Sequence, residues 1–79
     1  MEIYLATFFS HFGAVRFGRQ LRDLGADHTL MPVPRRVSSS CGTCVRFTAE
    51  ALPSDLDLAD VERLFRESDG RYTEIFSNL

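Results

Sequence analysis

A chain of 79 residues with 44% hydrophobic and 25% charged side chains is long enough for one small packed domain and too apolar to be disordered. Its formal charge of -2 removes the usual electrostatic reason for a nucleic-acid or anionic-membrane partner, so neither is expected. All nine basic residues are arginine, which excludes Schiff-base and lysine general-base chemistry and leaves guanidinium groups that ordinary pH cannot neutralise.

The opening stretch carries an acid, Glu2, where an export signal needs positive charge, and its apolar run is too short to span a bilayer. A reducing, cytoplasmic setting is therefore expected. There, Cys-x-x-Cys points to metal, redox or sulfur chemistry rather than to a structural disulfide.

Ile3 to Phe9 is a near-continuous apolar run of strand length. Ser10 reads as an N-cap. Ala14, Phe17, Leu21 and Leu24 then recur at helical spacing, and Gly25 ends that helix as its C′ residue. His28 to Pro34 reads as a second strand whose prolines mark an edge or a loop exit. The loop runs to about Gly42, after which Thr43, Val45 and Phe47 alternate with polar neighbours as in a third strand.

Asp57 reads as the N-cap of a second helix with Leu58, Val61, Leu64 and Phe65 buried and Glu62, Arg63, Arg66 and Glu67 solvated. Asp69-Gly70 ends it, and Arg71 to Phe76 forms a last strand. The order β-α-β-β-α-β over residues 1–79 predicts a single α+β domain of the ferredoxin-like split arrangement: a four-stranded antiparallel sheet with two helices on one face. The other face is left open, or covered by a second copy in a homodimer.

Chemistry concentrates between Pro32 and Phe47. Cys41 follows three serines and precedes a glycine, outside any expected strand, so its thiol is accessible. Guanidinium groups lower a thiol pKa, and Arg35, Arg36 and Arg46 are the nearest in sequence. The backbone around Ser39, Ser40 and Gly42 can form an amide-lined hollow for an anion. Cys44 completes Cys-Gly-Thr-Cys, yet strand residues three apart point to opposite faces, so it is either a partner thiol or a buried bystander. His11 and His28 are not at ligand spacing to the cysteines, so no metal is expected. No paired carboxylates, phosphate loop or hydrolytic triad stands out, and no cofactor is expected.

These residues resemble a small bacterial family of selenium/sulfur carrier-like proteins. The resemblance spans nearly the whole chain. It rests on Phe9-Ser10-His11-x-x-Ala14, on Pro32-Val33-Pro34-Arg35 leading into Ser38-Ser39-Ser40-Cys41-Gly42, and on Arg46-Phe47. It implies a carrier holding sulfur or selenium as a persulfide-type adduct on Cys41, loaded by a donor such as a cysteine desulfurase and unloaded by an acceptor enzyme. Cys44 departs from the family pattern, where a small or aliphatic residue stands. A neighbouring thiol there leaves open a thiol–disulfide couple of Cys41 and Cys44. A partner-binding domain with incidental cysteines is the third reading.

Overall fold

The computed structural model describes residues 1–79. Its elements are β1 (Glu2–Phe8), α1 (His11–Asp23), β2 (His28–Pro32), β3 (Thr43–Ala49), β4 (Val61–Ser68) and β5 (Arg71–Ser77). The strands form one antiparallel sheet in the order β2-β3-β1-β4-β5. The ferredoxin-like expectation is therefore overturned: there are five strands and one helix.

The first half follows its local signals. β1 is the central strand, buried on both faces from Tyr4 to Phe8, as a continuous apolar run requires. The Ser10 side chain accepts from the Gly13 amide at 3.1 Å and caps α1. At the other end Gly25, with φ +74, closes a Schellman motif: its amide donates to the Arg22 carbonyl and the Ala26 amide to that of Leu21.

The second half does not. The expected second helix is β4, paired with β1 on one side and β5 on the other. Thr7 faces Arg63 and Phe8 faces Val61, so Glu62 is an extra residue, a β-bulge. The bulge lets Val61 and Leu64, three apart, enter the same core, while Phe65 enters the opposite one. A bulged strand buried on two faces thus imitates a helical stripe. Asp69 and Gly70, with φ 53 and 75, form the two-residue turn of the β4–β5 hairpin instead of ending a helix. Asp57 does accept an amide, that of Ala59 at 2.9 Å, but within a turn before β4.

Two cores result. On the α1 face, Tyr4, Phe8, Phe17, Phe47, Val61 and Leu64 pack together, with Leu56 of the β3–β4 connector closing the side the helix leaves uncovered. The rings of Phe17 and Phe47 meet edge to face, 5.6 Å apart. On the opposite face, Leu5, Cys44 and Phe65 are covered by Val37 from the β2–β3 loop. The loop thus takes over part of the face expected to be open.

Candidate functional site

The β2–β3 loop is closed at its base by the Val33 amide donating to the Gly42 carbonyl at 3.1 Å. Within it, the Val37 amide donates to the Pro34 carbonyl at 3.0 Å, a turn that drives Val37 into the second core and leaves Arg35 and Arg36 exposed. Such a loop, with joined ends and its own apolar plug, is a compact Ω-type element rather than a loose tether.

From Val37 the chain crosses the end of β1. Ser39 Oγ donates to the Phe8 carbonyl at 3.3 Å. The next residue, Ser40, is held by the bulge residue Glu62: its amide donates to Oε1 at 3.1 Å, and its hydroxyl donates to Oε2. Thr7 stands beneath, its Oγ1 accepting from the Arg63 amide at 3.2 Å and lying 3.5 Å from Glu62 Oε1. Glu62 is only 4% exposed. Burial alone would raise its pKa, but donors from Ser40, Ser39 and Thr7 outweigh that and hold the carboxyl below its ordinary value. Ser38, Ser39, Ser40, Glu62, Arg63 and Leu79 line a shallow cleft of about 190 Å³ over this carboxylate.

The two cysteines part company here. Cys41 is half-buried at the rim of the α1-side core, its thiol donating to the Thr43 carbonyl at 3.4 Å. Thr43 also receives α1: His11 Nδ1 lies 3.1 Å from Thr43 Oγ1. Cys44 lies fully buried in the other core, beyond the sheet, with its thiol on the Pro32 carbonyl at 3.6 Å. Burial, and secondly the charge of a Cys41 thiolate, push the Cys44 thiol up to about 11, so at neutral pH it is protonated and unreactive. Both cysteines are free.

The arginines are dispersed. Arg36 donates to the Gly70 carbonyl at 2.9 Å, tying the loop to the β4–β5 turn. Arg46 points along the second face into a two-point pair with Glu67, at 3.1 and 3.2 Å, which raises its own pKa further. Arg35 is exposed and makes no hydrogen bond or ion pair. Gly42 is exposed, with open space around its Cα. Of the expected site residues, the structure gathers Ser39, Ser40 and Cys41 at one end of the sheet, sets Cys44 at that end too but buried opposite Thr7 in the second core, and carries Arg36 and Arg46 elsewhere. No group of three or more His, Cys, Asp or Glu is placed to hold a metal ion. No helix is long and apolar enough to cross a membrane.

Glu62 is the site residue that sequence reasoning assigned to solvent. Its one indirect sign was the Asp69-Gly70 pair, which reads as a hairpin and so makes the preceding run a strand.

Residues 3–77 match the family described as "Putative Se/S carrier protein-like". No curated protein and no solved structure matches the chain.

Proposed function

The chain belongs to the Se/S carrier protein-like family, and from that premise we propose that it carries sulfur or selenium as an adduct on Cys41, between a donor such as a cysteine desulfurase and an acceptor enzyme. In loading, the Cys41 thiol first gives its proton to solvent. The thiolate then attacks the terminal sulfur of a donor persulfide. A sulfur–sulfur bond forms on Cys41, the donor's breaks, and its electron pair leaves on the donor thiolate. An acceptor nucleophile repeats the exchange and returns Cys41 as thiolate, with no net oxidation. Selenium follows the same displacement.

The observation that supports this reading is that the two thiols pack against different cores, Cys41 at the rim of one and Cys44 inside the other. A persulfide beside a second reactive thiol would be cleaved to a disulfide with loss of sulfide; Cys44 is protonated and turned into the other core. Cys41 alone is partly open to an incoming partner.

The test is intact-mass analysis after incubation with a cysteine desulfurase and free cysteine. The chain gains one sulfur atom, Cys41→Ser gains none, and Cys44→Ser still gains it. An adduct that survives Cys41→Ser, or none on the unaltered chain, overturns the reading.

A further inference from the structure

We infer that Glu62 is a positioning residue for Cys41: a buried carboxylate latch that fixes the thiol's own loop and so sets the geometry of transfer. The inference deepens the carrier reading and rests on it.

A carboxylate at 4% exposure is costly unless its oxygens are satisfied, and here nearly all of its partners come from one place. Both oxygens are taken by Ser40, one by the amide and one by the hydroxyl. Ser40 immediately precedes Cys41. Charge-assisted bonds of this kind are about twice as strong as neutral ones, and the acceptor is presented by the sheet's central pairing rather than by another loop. The strand breaks its ladder to make this contact: in a regular register Glu62 would stand opposite Phe8, whose side chain enters the α1-side core. Thr7 then repairs the broken ladder by accepting the Arg63 amide. An irregularity of β4 thus serves to hold Ser40 of the loop.

The segment after Ser40 needs that hold. Cys41 and Gly42 lie between the latch and the start of β3, where the Val33 amide on the Gly42 carbonyl is the backbone bond that closes the loop base and Gly42 has no side chain to pack. With Glu62 in place, Cys41 is pinned from both sides, by Ser40 on the carboxylate and by Thr43 in the strand. Without it, the stretch from Ser38 to Cys41 keeps only the Ser39 contact to Phe8 and the thiol's own bond to Thr43. Transfer between two proteins demands a fixed line of approach, whereas attack on a small reagent does not.

The experiment compares the unaltered chain with Glu62→Ala, Glu62→Gln and Ser40→Ala, reading desulfurase-supported sulfur loading alongside alkylation of each cysteine by iodoacetamide. Cys44 serves as an internal monitor, since Val37, which covers it, is held by its own turn on the Pro34 carbonyl and not by Glu62. The expected result is a split: loading of Glu62→Ala falls roughly ten- to hundredfold while Cys41 alkylates faster and Cys44 stays protected. Glu62→Gln, which keeps one acceptor, falls in between. Ser40→Ala, which keeps the amide contact, shifts in the same direction by less. Unchanged loading overturns the inference, and so does Cys44 becoming reactive in step with Cys41 in all three variants, which would make Glu62 a fold residue only. If the unaltered chain takes no sulfur at all, the carrier reading falls. The alkylation contrast still decides the latch: selective release of Cys41 supports it, and none refutes it.

Discussion

At the residue scale, two thiols three positions apart are made chemically unlike by the faces they occupy. Cys41 sits where a strand has not yet begun, half-exposed against the rim of one core; Cys44 is already inside β3 and faces the other. The difference is measurable as an alkaline limb of stability. Cys44 has its pKa raised from 9.0 to about 11 in the folded chain, so between those values the unfolded chain has released a proton that the folded chain keeps. Stability present below pH 9 is therefore lost as pH rises towards 11. Urea unfolding at stepped pH should show this loss in the unaltered chain and a flatter limb in Cys44→Ala. Equal slopes would mean that Cys44 is solvated.

At the element scale, the β4–β5 hairpin decides the topology of the second half. Its turn needs two consecutive positive φ values, which Asp tolerates and Gly adopts freely. Gly70→Ala puts a Cβ into the left-handed region, though no neighbour is in the way, so the expected cost is conformational, about 1–2 kcal/mol. Urea denaturation checks it; a variant as stable as the parent would argue against this turn. In the same hairpin, Arg36 caps the Gly70 carbonyl, so the turn also anchors the loop that carries Ser39, Ser40 and Cys41.

At the scale of the whole molecule, one helix and two loops cover the sheet that two helices cover in a ferredoxin-like arrangement. β1 lies at the centre, hydrogen-bonded on both edges to β3 and β4 and buried on both faces. Native-state hydrogen exchange should therefore find the β1 amides among the slowest, opening only with the entire fold, and those of the edge strands β2 and β5 faster. A β1 that exchanged like the edges would be incompatible with this strand order. The cysteine-bearing end of the sheet is where β1, the bulge of β4 and the β2–β3 loop meet, which is why the loop's rigidity depends on the middle of the fold.

Much of the first half was legible in the sequence because its signals are local. Ser10, Gly25, the Ala14/Phe17/Leu21 spacing and the apolar run of β1 each act on neighbours within a few residues, and each element formed where they place it. The family resemblance, carried by the Pro-Arg and Ser-Ser-x-Cys-Gly segments, was legible for the same reason and was matched over residues 3–77. Tertiary structure alone decided β4. Val61, Leu64 and Phe65 satisfy a helical stripe and a bulged, doubly buried strand equally well. The choice between them lies in partners far along the chain: β1, lacking a neighbour on one edge, and β5, returned by Asp69-Gly70. The same choice moved Glu62 from the solvent to the latch beneath Ser40, for only a strand paired with Thr7 and Phe8 brings that carboxylate to the cysteine loop.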